Sequence, residues 1–181
     1  MNGAKLGSMI GAVGGLVFVV ANAGALPGPW PLVLRVAGVL AFVGVTALVL
    51  RARLSGTGVE PSRHQTRAFG YTVLAEFLAI PIGSQVLVRA FDLPAATLPW
   101  VATVIGVHFL VFARVFGEPV FTWLGLGVTL CGVVGIVLAA RAAPQSAISL
   151  VGGILPGIIL LASVGWSAWA GQPSSTRSSP S

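Results

Sequence analysis

Charged residues are scarce in this chain. They make up 8% of its 181 residues, and only four are acidic. A soluble domain carries about 25% charged residues, so this composition excludes a water-exposed globular surface. The single cysteine, Cys131, excludes an intrachain disulfide. The sequence also lacks a phosphate-binding loop, a dinucleotide fingerprint, an H-E-x-x-H motif and a nucleophile elbow. We therefore expect neither an enzyme activity nor a cofactor.

Apolar residues fill most of the chain, and they do so in six long stretches. Hydrophobic residues reach 56%, and the mean hydropathy is +0.98. A helix of about 20 residues crosses a hydrocarbon core of about 30 Å, and each stretch is near that length. The stretches are 9–26, 32–50, 70–87, 96–113, 120–140 and 147–169. The sequence predicts an all-α, polytopic transmembrane bundle of six helices over residues 1–170.

The basic residues favour one orientation of this bundle. Cytoplasmic loops of membrane proteins carry an excess of Lys and Arg, and an inner N-terminus places seven of the ten basic residues inside. The inner residues are Lys5, Arg51, Arg53, Arg63, Arg67, Arg114 and Arg177, and the outer ones are Arg35, Arg89 and Arg141. We therefore predict that both termini are cytoplasmic, with a disordered tail at 171–181. Topology explains the net charge of +6, so no nucleic-acid partner is expected.

Four of the inner arginines lie in or beside the longest predicted loop, 51–69. They either set the topology or also bind anionic lipid, to which each basic residue near the surface contributes about 1 kcal/mol. These residues are Arg51, Arg53, Arg63 and Arg67.

The N-terminal segment has two interpretations. Lys5, an apolar run and the triplet at 21–23 are typical of a cleaved secretory signal. Alternatively, Gly7, Gly11 and Gly15 form a stripe of small residues, which favours a retained helix in close packing. We expect retention. Such stripes also suit a homo-oligomer, so that alternative stays open. Within the third and sixth stretches, Pro81 and Pro156 predict helix kinks.

Two ionisable residues lie at one predicted depth inside the bundle. Glu76 is about 9 Å from the inner end of the third stretch, and His108 is about 9 Å from Arg114 on the antiparallel fourth. Two interpretations remain open. The pair either exchanges protons or binds a cation during transport, or satisfies itself and fixes helix packing. Two ligands are too few for a metal site. Arg35 and Arg89 form a second candidate, an outer anion site.

The functional expectation is a transporter or channel-like protein for an ion or small solute, with Glu76 and His108 at its centre. The alternative is a non-catalytic membrane scaffold or accessory subunit. Residues Gly106-Val107-His108-Phe109, with the pattern continuing to Gly125, resemble a family of uncharacterised small bacterial membrane proteins with about six spans. This resemblance implies a multi-pass protein of the bacterial cytoplasmic membrane and brings no activity. The preference for Arg over Lys is similar to that of proteins from GC-rich actinobacteria.

Overall fold

The computed structural model describes residues 3–52 and 63–170, which fold into α-helices without a β-strand. A 3₁₀ turn at Pro94–Ala96 precedes the fourth helix, and a π-helical segment at Leu150–Ile154 separates the last two helices. The helices are α1 (Gly3–Ala23), α2 (Trp30–Arg51), α3 (Arg63–Arg89), α4 (Thr97–Phe116), α5 (Pro119–Ala140), α6 (Gln145–Ser149) and α7 (Leu155–Ala170). The all-α prediction is confirmed.

Within residues 3–52 and 63–170, five helical segments are long and apolar enough to cross a membrane. They are Trp30–Arg51, Gln65–Arg89, Pro94–Phe116, Pro119–Ala140 and Gln145–Ala170. The last of these, which we call the C-terminal span, joins α6, the π-helical segment and α7. The apolar part of α1, Gly7–Ala23, is shorter than the other five. The sixth crossing, by α1, therefore stays a prediction.

The third helix is longer than the hydropathy pattern predicted. It begins at Arg63, so the second half of the loop expected at 51–69 is helical. Residues 63–69 include Arg, Gln and Ala, which have good helix propensity. This propensity explains why the helix begins before the apolar stretch does. Arg51 and Arg67 are exposed on α2 and α3. Arg53, the side chain of Arg63 and the tail 171–181, with Arg177, lie outside the described residues.

The helices pack as an open row rather than a closed ring. Helix α1 packs against α2 and α7, α5 packs against α4 and α7, and α3 packs against α4. In the apolar segment of α3 no residue is buried inside the protein, whereas half of the residues in the apolar segment of the C-terminal span are buried. One buried cluster lies between α1, α2 and α7, another lies between α1, α4, α5 and α7, and α3 is an edge helix held mainly by α4.

Small residues let the central helices approach closely. A Cβ atom on Gly15 of α1 would lie 2.8 Å from the carbonyl oxygen of Gly157 in α7, and one on Gly157 would lie 2.6 Å from that of Gly15. Any side chain here would push the two backbones apart. In α4 and α5, Gly106 faces Thr129 and Gly132 faces Thr103 in the same manner. Such contacts replace the hydrophobic effect, which does not drive helix association in lipid.

Each of the two intrahelical prolines has a distinct local environment. Pro81 lies inside α3, which continues through it, and the kink expected there stays a prediction. Two residues beyond Pro81, Gly83 gives room for the Trp100 ring, whose indole N–H donates a hydrogen bond to the carbonyl of Ala79 at 3.0 Å. Pro156 is the second residue of α7, two residues beyond the end of the π-helical segment. Because proline has no N–H, it leaves one carbonyl of that segment without a helical donor.

Candidate functional site

The structure brings Glu76 of α3 and His108 of α4 into direct contact. Oε2 of Glu76 lies 2.6 Å from Nδ1 of His108, and this is the one ion pair found within residues 3–52 and 63–170. Nδ1 has no described partner at hydrogen-bond angles, so the contact is defined by its distance. Residue counting predicted a shared level for these two residues and left open whether they face each other, and the structure places their side chains in contact.

Glu76 lies farther from the end of its helix than the apolar stretch indicated. It is the middle residue of the 27-residue helix α3, about 20 Å from either end at 1.5 Å per residue. His108 stays six residues, or about 9 Å, from Arg114 near the end of α4. The added length of α3 begins at Arg63 and is polar, so it extends the helix without changing the level of Glu76 relative to His108. A carboxylate inside a membrane span is costly unless it is paired, and His108 supplies the partner.

Phenylalanine rings surround the imidazole. The ring centroid of Phe112 lies 4.1 Å from that of His108, and Phe109 meets His108 edge-on at 5.7 Å. Phe69 of α3 stacks on Phe112 at 5.5 Å. The side chain of His108 is 13% exposed and that of Glu76 is 25% exposed. The carboxylate therefore has the more accessible position of the two, on the edge helix.

Two further rings extend this aromatic cluster toward the α4–α5 turn. Phe116 packs edge-on against Phe112 at 5.5 Å, and Phe121 of α5 lies near both Phe109 and Phe112. The sequence interpretation missed the cluster. Its signal is the spacing of four residues between His108, Phe112 and Phe116, which places them on one face of α4.

The pair can change its charge in steps of one proton. An ionised Glu76 beside a neutral His108 carries one negative charge, one shared proton makes the pair neutral overall, and a second proton makes it positive. Changes of this kind inside an apolar bundle carry a large electrostatic energy because the surroundings screen charge weakly. Among the described residues, no group of three or more His, Cys, Asp or Glu side chains could hold a metal ion.

Arg35 and Arg89 lie on helices that share no main packing partner. Arg35 is exposed on α2, with its guanidinium close to Gly24, and α2 packs against α1 and α7. Arg89 is exposed in the last turn of α3, which packs against α4. The structure shows no contact between these two side chains in the described part of the chain, and an anion site formed by both stays a prediction.

A second buried polar group lies at the C-terminal span. Asn22 of α1 is 2% exposed and abuts Gly153 of the π-helical segment. Its Nδ2 atom donates a hydrogen bond to the Phe18 carbonyl at 2.8 Å, while Oδ1 has no partner among the described residues. The hydrogen bond stays within α1, so Asn22 contributes to the interhelical contact by packing against the glycine.

The fold indicates a helical membrane protein. Among the described residues it combines five long apolar segments with a carboxylate–imidazole contact. No family model, no curated protein and no solved structure matches the chain. The resemblance at residues 106–125 to small bacterial membrane proteins therefore stays an expectation.

Proposed function

We propose that the protein is a small proton-coupled transporter or channel-like protein of a bacterial cytoplasmic membrane, with six crossings and both termini inside. The observation that carries this proposal is the 2.6 Å contact between Glu76 and His108 within two long apolar helices. Ionisable residues inside membrane spans are rare, and they commonly mark proton relays and ion pathways. The transported solute is an ion or another small molecule.

The proposed working step is proton exchange at the pair. Of the two residues, Glu76 is the more exposed and lies on the edge helix, and we assign to it the uptake and release of the proton. His108 is held by aromatic rings, and it would act as the fixed partner that stabilises the carboxylate. Release of Glu76 from His108 requires only that α3 move against α4, because α4 is its main packing partner.

Proton flux in liposomes tests the proposal. The purified full-length protein is reconstituted with a pH-sensitive dye inside the vesicles, and a pH gradient is imposed with and without candidate solutes. We expect Glu76→Gln and His108→Ala each to reduce the flux at least about tenfold. This reduction corresponds to an activation free energy of the limiting step that is higher by about 1.4 kcal/mol or more. Glu76→Asp, which keeps the carboxylate, should retain part of the flux and thus separates lost chemistry from lost folding.

Matched controls are available in the same chain. Glu118→Gln removes another carboxylate, one that is exposed at the start of α5, and His64→Ala removes the second of the two histidines. Neither control should change the flux. Wild-type vesicles that leak no faster than protein-free vesicles, for every solute tried, would contradict the transport proposal. Equal losses in the site and control variants would contradict the assignment to Glu76 and His108.

The second candidate function is a non-catalytic scaffold or accessory subunit. It is favoured by the aromatic packing of His108 against Phe109 and Phe112, because an imidazole held in this way can fix α3 on α4 through its contact with Glu76. In that case Glu76→Gln would lower the thermal unfolding temperature while the protein-mediated flux is zero throughout. Measuring flux and unfolding temperature on the same preparations distinguishes the two functions.

A further inference from the structure

A shallow groove lies where the C-terminal half of α4 meets the first turn of α5. Its volume is about 320 Å³, and it is lined by Leu110, Ala113, Arg114 and Thr122. Leu110 and Ala113 supply apolar surface, whereas Arg114 and Thr122 supply a guanidinium and a hydroxyl. The groove thus has an apolar part and a polar part side by side, as the binding site of an amphiphilic molecule requires.

The charge of Arg114 is uncompensated within the described part of the chain. Arg114 is exposed in the last turn of α4, and none of the ion pairs among the described residues includes it. Glu118 is the acidic residue of the same turn and is exposed beside Pro119, yet it does not pair with the guanidinium. A free guanidinium has five N–H donors in a planar fork that matches phosphate oxygens.

The groove lies at a helix end, where the headgroups of a bilayer would lie. Helix α4 ends at Phe116, and the next helix begins at Pro119, so the turn marks one end of two long apolar segments. Trp123, the neighbour of Thr122, is 76% exposed. Exposed tryptophan is enriched at the membrane–water interface. From this level Leu110 and Ala113 extend along α4 toward the hydrocarbon region.

We propose that this groove binds an anionic phospholipid. The phosphate lies on the Arg114 guanidinium with the Thr122 hydroxyl donating to one of its oxygens, and an acyl chain lies along Leu110 and Ala113. A free phosphate ion would use the guanidinium but would leave the apolar half of the groove uncovered, so the lipid is the better match. This inference does not depend on the proposed transport function, since it uses none of the residues of the Glu76–His108 pair.

Lipid titration monitored by native mass spectrometry tests the site. The full-length protein in detergent is titrated with phosphatidylglycerol and, separately, with phosphatidylcholine. We expect tighter binding of phosphatidylglycerol, and about fivefold weaker binding by Arg114→Gln, since one basic residue near a membrane surface contributes about 1 kcal/mol. Thr122→Val, which keeps the side-chain shape, should weaken binding by a smaller factor. Arg141→Gln removes another exposed arginine, one that belongs to no candidate lipid or anion site, and is the matched control.

Three results would overturn the proposal. These are equal affinity for the two lipids, an equal loss in the Arg114 and Arg141 variants, and full displacement of the lipid by millimolar inorganic phosphate, which would assign the site to a free anion. A photoreactive phosphatidylglycerol provides a second measurement. It should label peptides that contain residues 110–122, and labelling confined to other peptides would also refute the site.

Discussion

Replacing Glu76 and His108 one at a time and together should show that they stabilise the fold as a unit. The variants are Glu76→Leu, which removes the carboxylate, and His108→Phe, which keeps a ring against Phe112. Each single variant leaves one polar partner inside an apolar bundle, and an unsatisfied buried group costs about 1–3 kcal/mol. We therefore expect each single variant to lower the free energy of unfolding by about 2 kcal/mol.

The double variant should lose about 2.5 kcal/mol, less than the sum of about 4 kcal/mol for the two single variants, given the coupling energy expected for such a pair. Replacing both members of a buried pair by apolar groups of similar shape is often nearly neutral. Hydrogen-bonded pairs in membrane proteins give coupling energies that average about 0.6 and reach about 1.7 kcal/mol. The 2.6 Å contact and the low exposure of His108 place this pair at the upper end, near 1.5 kcal/mol.

The assay is reversible unfolding of the full-length protein in mixed micelles, followed by tryptophan fluorescence, for the wild type and the three variants. Independent sites add within about 0.3–0.5 kcal/mol. Additivity within that margin would mean that Glu76 and His108 are not energetically coupled, and the assignment of the site would then be wrong. A coupling energy above 1 kcal/mol would support it, whichever of the two proposed functions the flux measurements select.

Three further predictions concern packing and topology. Gly15→Ala should lower stability by about 1–3 kcal/mol because the added methyl group has no room, while its neighbour Gly14→Ala, which has open space, should be neutral in the same unfolding assay. Trp100→Phe should cost about 1 kcal/mol through loss of the indole hydrogen bond to α3, and a change under 0.3 kcal/mol would contradict that role. In a background without the native cysteine, a membrane-impermeant thiol reagent should label Lys5→Cys and Arg141→Cys from opposite sides of the membrane. Labelling of both from one side would contradict six crossings.

Hydropathy was sufficient to locate most of the helices. The stretch 32–50 became α2 (Trp30–Arg51) and 120–140 became α5 (Pro119–Ala140), because a long apolar run in a chain with so few charges has one stable backbone conformation in lipid. The extension of α3 back to Arg63 was not predictable from hydropathy, since polar residues give no such signal. The π-helical segment was equally hidden, because it depends on Pro156 and on how α1 packs against Gly153.

The sequence predicted that Glu76 and His108 lie at the same depth, but it did not predict that their side chains face each other. Counting residues from Arg114 and from the start of the third stretch placed Glu76 and His108 at one depth. Whether they face each other depends on the rotation of α3 and α4 about their axes, which is set by interhelical contacts such as Trp100 on Gly83. Those contacts join residues of two different helices, and hydropathy along the chain does not indicate which faces of the helices meet.

The π-helical segment shifts which residues of the C-terminal span face the neighbouring helices. Five residues, Leu150–Ile154, make i→i+5 turns, so they hold more residues per turn than an α-helix does. This offset lets Ser149 in α6 and Gly157 in α7 both lie buried. Deleting Val151 should restore a continuous α-helix and rotate α6 by about 100° relative to α7, which would expose Ser149 to thiol labelling as Ser149→Cys. A single residue thus keeps two short helices in register with the same neighbours.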